Sequence, residues 1–220
     1  MIKNKIKYDI WKVFNKIGFK IMRYRPLRPS MSFVKDKFKD KQLVGVELGV
    51  YRGENAYLML EHMNIKKLYL VDPYLIYKGY NDLKDNTGLI PSPELFIAKE
   101  TAEKLVKPFN DKVIWYNAFS DNVVMNIPNN LDFVYVDGNH SYKYVLNDII
   151  NYYPKLKEKG IIGGHNIDTK DVINAVIDFC NKNNLQINLS YPDWWIVKGE
   201  ERIIGLDKIK KEESKNEMVK

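Results

Sequence analysis

The segment that decides the fold runs from Leu43 to Asn55 and reads LVGVELGVYRGEN. Its first six residues are apolar or small apart from Glu47, which is typical of a strand that is buried on both faces. Glu47, Gly49 and Gly53 then form the pattern E-x-G-x-x-x-G, and a helix is predicted directly after it. Glycines at such a turn allow sharp bends and the close approach of a ligand. The segment therefore predicts a strand–turn–helix unit that binds a ligand at its turn.

The same alternation continues along the chain, because short apolar runs are separated by segments of helix length. The predicted strands are Leu43–Leu48, Lys67–Asp72, Lys112–Tyr116, Leu131–Asp137, Gly160–Gly164, Leu185–Leu189 and Trp194–Val197. The predicted helices are Glu54–His62, Pro93–Lys107, Ser141–Tyr152 and Lys170–Asn183. Strands that alternate with helices form βαβ units. The sequence therefore predicts an α/β fold, with a Rossmann-like, mostly parallel sheet of seven strands and helices on both faces.

Length and composition exclude several classes of protein. A chain of 220 residues with 45% hydrophobic residues can form one domain with a substantial core. Its apolar runs are far shorter than the roughly 20 residues that cross a bilayer. A single cysteine, Cys180, excludes an internal disulfide framework and a cysteine-rich zinc module. The N-terminus lacks the features of a secretory signal, so we predict a cytoplasmic location.

The net charge is distributed unevenly. The whole chain carries +7, but residues 1–41 carry +10 and the remainder carries −3. We therefore predict a basic helical arm and linker at 1–41, a main domain at 42–206 and a charged tail at 207–220. The long segment Pro73–Ser92 is rich in tyrosine, glycine and asparagine, which is typical of a functional loop or lid.

The basic arm has the pattern of an amphipathic helix that ends near Pro26 and Pro29, with residues 23–30 as a linker. Its apolar stripe consists of Ile6, Ile10, Val13, Phe14, Ile17 and Ile21. Three interpretations stay open. The helix packs on the domain or on a second copy in a homo-oligomer, or residues 5–24 lie on an anionic membrane surface. Nucleic-acid binding is the third, and the lack of a readout motif argues against it.

The charge of the turn indicates the kind of ligand. A dinucleotide-binding turn reads G-x-G-x-x-G, and its absence argues against a nicotinamide-dependent dehydrogenase. The carboxylate of Glu47 would repel a pyrophosphate but suits an ammonium or sulfonium centre. Asp72 ends the next predicted strand, where its carboxylate can accept hydrogen bonds from ribose hydroxyls.

These features, taken with two further motifs, resemble those of class I S-adenosylmethionine-dependent methyltransferases. The further motifs are DFVYVDGNHSYKYVLNDI at residues 132–149 and LKEKGIIGGHN at residues 156–166. More narrowly, the chain is similar to the V-D-G-x-H-x-Y branch, a group like methyltransferase domain family 24 that includes sugar and antibiotic O-methyltransferases. The resemblance covers Val44 to Val197. It spans most of the main domain predicted at 42–206, so we interpret that domain as the methyltransferase domain.

The resemblance implies the cofactor, S-adenosylmethionine, and the residues that bind it. The turn after the first strand would hold the methionine part, Asp72 the ribose, and the segment after the third strand the adenine. The implied cofactor-binding residues are Glu47, Gly49, Tyr51, Gly53, Asp72, Ala118, Phe119, Ser120 and Asp137.

The chemistry is predicted at the end of the fourth strand, where Asp137 and His140 are the candidate catalytic residues. Histidine is the most common general base, and methylation of a hydroxyl needs its proton removed. In metal-using relatives, the positions of Asp137, His165 and Asn166 hold Mg²⁺ or Mn²⁺, although relatives commonly have aspartate in place of Asn166. We therefore expect a divalent metal site there. Asp148, on the following helix, is either a cap, an ion-pair partner or a site residue.

The motifs also restrict the acceptor. A base N-methyltransferase usually carries D/N-P-P-Y/F where this chain has D-G-N-H, which argues against nucleic acid as the substrate. The resemblance favours O-methylation of a sugar, a glycan intermediate or a sugar nucleotide. Two alternatives stay open, namely a phenolic or other small-molecule acceptor, and a non-catalytic adaptor on a methyltransferase scaffold.

Overall fold

The structure is a computed structural model, and it describes residues 26–77 and 90–202. Single-turn helical segments aside, its helices and strands are, in chain order, α1 (Pro29–Phe38), β1 (Leu43–Leu48), α2 (Glu54–His62), β2 (Ile65–Val71), β3 (Leu75–Ile76), β4 (Ile90–Pro91), α3 (Pro93–Val106), β5 (Val113–Tyr116), α4 (Ser120–Val123), β6 (Leu131–Val136), α5 (Tyr142–Tyr152), β7 (Leu156–Gly164), α6 (Lys170–Asn183), β8 (Asn188–Ser190) and β9 (Asp193–Val197).

The main sheet has seven strands in the order β5-β2-β1-β6-β7-β9-β8. The first five run parallel, while β9 pairs antiparallel with β7 and β8 pairs antiparallel with β9. This confirms the predicted Rossmann-like, mostly parallel sheet. Along the chain, β2 and then β5 are added on one side of β1, and β6 is then placed on its other side. The carboxyl ends of β1 and β6 therefore meet at the switch point where open α/β sheets bind ligands.

Two hydrophobic cores cover the two faces of the sheet. Within β6, Phe133 and Tyr135 belong to one core, and Val134 and Val136 belong to the other. The first core includes residues of α1, α2 and α3, and the second includes residues of α5 and α6. Helices therefore lie on both faces, as predicted, and this explains why the strand LDFVYV is apolar throughout.

The segment before β1 differs from the prediction. Instead of ending a helix as part of a linker, Pro29 occupies the first turn of α1, a position that suits its restricted φ and missing N–H. Met31, Val34 and Phe38 lie on one face of this helix and are buried in the core. The packed body therefore begins before residue 42. The surrounding lysines hid this short apolar face in the charge pattern of the sequence.

Several other predictions lie outside the described residues. These are the amphipathic helix and its membrane contact at residues 5–24, the tail at 207–220, and residues 78–89 of the predicted lid. The described ends of the lid form the two-stranded β3–β4 sheet. Across residues 26–77 and 90–202, no helix has the length and apolar character needed to cross a membrane.

Candidate active site

A cleft of about 910 Å³ opens at the carboxyl ends of the central strands. Nine predicted site residues line it: Glu47, Gly49, Tyr51, Asp72, Ala118, Phe119, Ser120, Asp137 and His140. Gly53, His165 and Asn166 do not line the cleft. Gly53 has φ of 74°, and a Cβ there would lie 2.8 Å from Ala102 Cβ, so this glycine serves the packing of α2 against α3.

The first turn brings β1 into close contact with the end of β6. Gly49 has φ of 84°, and a Cβ at this position would lie 2.2 Å from the carbonyl oxygen of Asp137. Backbone hydrogen bonds hold this turn on both sides, since Gly49 N donates to Val71 O of β2 at 2.9 Å and Asp137 N, after β6, donates to Leu48 O at 2.8 Å. The glycine is needed here because two backbones approach without room for a side chain.

Glu47 places a buried carboxylate against the cleft. Its side chain is 1% exposed, and Oε1 accepts a hydrogen bond from Asn55 Nδ2 at 2.8 Å. Within the described part of the chain, Glu47 Oε2 and Asn55 Oδ1 are buried acceptors without a donor. Burial raises the pKa of Glu47 to about 8. Buried acceptors without donors are costly, so these atoms fit the ammonium group of the methionine part of S-adenosylmethionine.

The raised pKa of Glu47 predicts that cofactor binding is coupled to proton release. At pH 7 most Glu47 side chains are protonated, and a bound cation favours the charged carboxylate, so its pKa falls in the complex. We expect the affinity for S-adenosylmethionine to rise by up to about tenfold per pH unit below pH 8 and then to level off. Calorimetry in buffers of different ionisation enthalpy measures the released proton. Glu47→Gln is the matched control, and an equal pH dependence in both proteins would contradict the assignment.

Asp72 has a structural role that the sequence did not reveal. Its Oδ2 accepts hydrogen bonds from Val50 N and Tyr51 N, both at 2.9 Å, and Oδ1 accepts one from Tyr74 N at 2.8 Å. Burial raises the pKa of Asp72, and these three hydrogen bonds oppose that rise. The carboxylate thus ties the glycine turn to the end of β2. About one of its four acceptor positions is left for the predicted contact with ribose.

A buried acid, Asp148, contacts the predicted adenine end of the cleft through Ser120. Ala118, Phe119 and Ser120 line this end, and Phe119 packs edge-on against Tyr77 with ring centroids 4.9 Å apart. Ser120 Oγ donates to Asp148 Oδ1 at 2.5 Å. Asp148 is 6% exposed, and burial raises its pKa to about 7. Of the roles left open by the sequence, the structure therefore favours a site residue that orients Ser120.

Asp137 and His140 lie together at the mouth of the cleft. His140 Nε2 is 3.5 Å from Asp137 Oδ1, and the imidazole is 43% exposed. Asn139 shapes the loop between them, because its Oδ1 accepts hydrogen bonds from Ser141 N and Ser141 Oγ and its Nδ2 donates to Tyr77 OH. An imidazole that is open to the cleft and faces a carboxylate on one side can accept a proton from a bound acceptor.

His165 is engaged by side chains other than the predicted metal ligands. Its Nε2 lies 3.1 Å from Arg28 Nη1, and its Nδ1 lies 3.1 Å from Asp193 Oδ1. Because arginine only donates, Nε2 is the acceptor and Nδ1 carries the proton that it donates to Asp193. Both ring nitrogens are therefore occupied, and the guanidinium would repel a divalent cation.

These contacts correct the metal prediction. Asn166 has φ of 58° in the turn after β7, and neither it nor His165 lines the cleft. Residues 26–77 and 90–202 contain no group of three His, Cys, Asp or Glu side chains that could hold a metal ion. The donor set of Asp137, His165 and Asn166 does not fit Mg²⁺ or Mn²⁺, since Asp137 would be its only anionic ligand and His165 is already paired.

Solved structures share this fold over most of the chain. The O-methyltransferase NovP is 13% identical with a TM-score of 0.54, and the match covers 76% of this chain and 78% of NovP. SMU.1697c from Streptococcus mutans, solved in complex with SAH, is 13% identical with a TM-score of 0.53, and the match covers 80% of this chain and 97% of that protein. At these identities the likeness concerns the fold.

The fold and the anionic cleft at its switch point define a class I S-adenosylmethionine-dependent methyltransferase. A family model described as a methyltransferase domain matches residues 46–167, and the chain belongs to this family. A curated relative, the uncharacterized protein R132 of Acanthamoeba polyphaga mimivirus, is 28% identical over 128 residues. That match covers 57% of this chain and 52% of R132, so the chain spans about half the length of this relative.

Proposed function

We propose that the protein is an O-methyltransferase that transfers a methyl group to a hydroxyl of a sugar, a glycan intermediate or a sugar nucleotide, with His140 as the general base. The observation that carries the proposal is the exposed imidazole of His140 at the cleft mouth, 3.5 Å from Asp137 at the end of β6. A hydroxyl is a poor nucleophile at neutral pH, and a positioned base removes this obstacle.

The residues of the cleft have different roles in the proposed reaction. S-adenosylmethionine supplies an activated methyl group on a positively charged sulfur. Glu47 and Asn55 would accept hydrogen bonds from its ammonium group, and Asp72 holds the turn between them. With Nε2–H of His140 directed at Asp137, Nδ1 takes the proton of the acceptor hydroxyl. The bound cofactor would supply the methyl group to the hydroxyl oxygen and leave as the neutral sulfide, and Asp137 would stabilise the imidazolium that forms on His140.

The polar lining of the cleft mouth supports a polyhydroxylated acceptor. Asn139, His140, Ser141 and Tyr77 supply donors and acceptors, and Tyr77 and Tyr144 supply aromatic faces with centroids 5.7 Å apart. Sugars are recognised by such combinations, because their hydroxyls need hydrogen-bond partners and an aromatic face suits their C–H groups. NovP, named as an O-methyltransferase, shares the fold and is consistent with this reaction class.

A labelled-methyl assay against a defined panel tests the proposal. The panel contains neutral glycosides, uronic acids, sugar phosphates, sugar nucleotides and catechols, and mass spectrometry locates the methyl ether. We expect transfer to at least one carbohydrate hydroxyl. Transfer to catechols alone would replace the acceptor class with a phenolic one. Cofactor binding without transfer to any panel member would favour the adaptor alternative.

Three further predictions accompany the proposed function and need separate measurements. They are a cytoplasmic location, a homo-oligomeric state and peripheral membrane contact through residues 5–24. Flotation with anionic vesicles tests the contact, and light scattering tests the oligomeric state.

A further inference from the structure

Arg28 enters the cleft from the segment before α1 and is held by a chain of partly buried contacts. Its Nη1 donates to His165 Nε2 at 3.1 Å, and His165 Nδ1 donates to Asp193 Oδ1 at 3.1 Å. Asp193 is fully buried. No sequence pattern indicates this arrangement, since Arg28 and His165 are 137 residues apart.

The buried end of this chain is firmly anchored. Asp193 Oδ2 accepts hydrogen bonds from Ser30 N at 3.1 Å and Ser30 Oγ at 2.6 Å. Asp193 Oδ1 also accepts one from Tyr135 OH at 3.3 Å. With His165 this gives four donors to one carboxylate, so its position is well determined. The imidazole is oriented by Asp193 and in turn orients the guanidinium.

The guanidinium of Arg28 lines the cleft, and most of its N–H groups have no hydrogen-bond partner among the described residues. It carries five N–H groups, and His165 is its only hydrogen-bond partner within residues 26–77 and 90–202. Arg28 takes part in none of the ion pairs of that region. Lys170, in the first turn of α6 and five residues after His165, and Arg52 line the same cleft and add two further positive charges.

The acidic side chains of the cleft have separate partners or tasks. Those that line it are Glu47, Glu54, Asp72, Asp137, Asp148 and Asp171. Glu47 is assigned to the cationic cofactor, Asp72 to backbone N–H groups and Asp137 to His140. Burial raises the pKa of Glu47 and the charge of Arg28 opposes that rise, but Arg28 forms no ion pair with an acidic side chain of residues 26–77 and 90–202. An oriented arginine without a paired carboxylate indicates an anion from outside the protein.

We propose that Arg28 binds a carboxylate or phosphate group of the acceptor. The inference rests on the proposed function, and it narrows the acceptor to a hydroxyl compound that also carries an anionic group, such as a uronic acid, a sugar phosphate or a sugar nucleotide. The planar fork of a guanidinium matches the oxygens of both anions. His165 and Asp193 are positioning residues that act through Arg28.

Chemical modification of arginine distinguishes the two possible sources of the anion, the acceptor and the carboxylate of the cofactor. Phenylglyoxal is applied to the free protein, to the SAH-saturated protein, and to the SAH-saturated protein with inorganic phosphate. Peptide mass spectrometry follows Arg28, with the exposed Arg202 as internal reference. We expect phosphate to protect Arg28 in the SAH complex and to leave Arg202 reactive. Full protection by SAH alone would assign Arg28 to the cofactor, and no protection by phosphate would remove the anion site.

A variant pair gives a second measurement. Arg28→Gln keeps a donor for His165 but removes the charge, and Arg202→Gln removes an exposed arginine that does not line the cleft. We expect Arg28→Gln to weaken phosphate binding to the SAH complex by about 10–100-fold and Arg202→Gln to change it little, and SAH binding is measured in both variants so that the two effects are separated. If the wild-type protein binds no SAH, the proposed function fails. If SAH binds and the two variants bind phosphate like the wild type, only the anion site is contradicted.

Discussion

His140→Ala is expected to lower kcat by about 10²–10⁴-fold and to leave the affinity for S-adenosylmethionine unchanged. The imidazole lies at the cleft mouth, where its contact is with the carboxylate of Asp137. Its removal therefore takes away the proton acceptor without altering the cofactor pocket around Glu47. Single-turnover methyl transfer measures the chemical step, and calorimetry with SAH measures binding.

Two variants sharpen this experiment. His140→Gln keeps a polar side chain near Asp137 but cannot accept the proton, so it should be nearly as slow as the alanine variant. His62→Ala is the matched control, because His62 ends α2 and does not line the cleft. It should keep the wild-type rate. An unchanged kcat in both His140 variants would show that another group, or water, takes the proton.

Gly49→Ala is expected to lower the free energy of unfolding by about 2–5 kcal/mol and to abolish cofactor binding. The new methyl group would lie 2.2 Å from the carbonyl oxygen and 2.5 Å from the carbonyl carbon of Asp137. Those atoms belong to the backbone and cannot rotate away, and φ of 84° is itself unfavourable for alanine. The ends of β1 and β6 would have to separate, which opens the cleft at its centre. Urea denaturation and SAH calorimetry measure the two effects.

Gly138→Ala provides the control from the same junction. A Cβ at Gly138 meets nothing closer than 3.9 Å, so the substitution should change the free energy of unfolding by less than about 1 kcal/mol. If Gly49→Ala were as stable as Gly138→Ala, the close approach of the two backbones at the ends of β1 and β6 would not be a requirement of the fold.

The fold was largely predictable because the sheet is buried on both faces. A strand such as Leu131–Val136 must then be apolar at every position, and such runs stand out between helices of ordinary length. The strand at the edge of the sheet, β8, was less predictable. The strand predicted at Leu185–Leu189 is found at Asn188–Ser190, while Leu185 packs in the core and forms only an isolated bridge with Glu201. Leu185 was predicted to be in a strand because it is apolar, but its apolar character reflects its place in the core. The position of β8 is set by its pairing with β9.

The site was predictable where its residues follow directly from a strand. Glu47, Asp137 and His140 sit in local motifs, and the parallel topology alone brings the ends of their strands together. The contacts of His165 depend instead on Arg28, which directly precedes α1 and comes from a distant part of the chain. The sequence likewise does not reveal that Asp72 directs most of its acceptor positions to nearby backbone N–H groups, because that depends on the path of the turn.

The position of α1 also determines which deletions can test the role of the basic N-terminal region. A deletion of residues 1–29 would remove Arg28 and the first residue of α1, and it would leave a charged amino group at Ser30, beside the buried Asp193. Such a protein would combine the loss of the arm with damage to the cleft. A deletion that stops at residue 25 keeps all of these contacts, so any lost attachment to a membrane or partner can then be assigned to the removed residues.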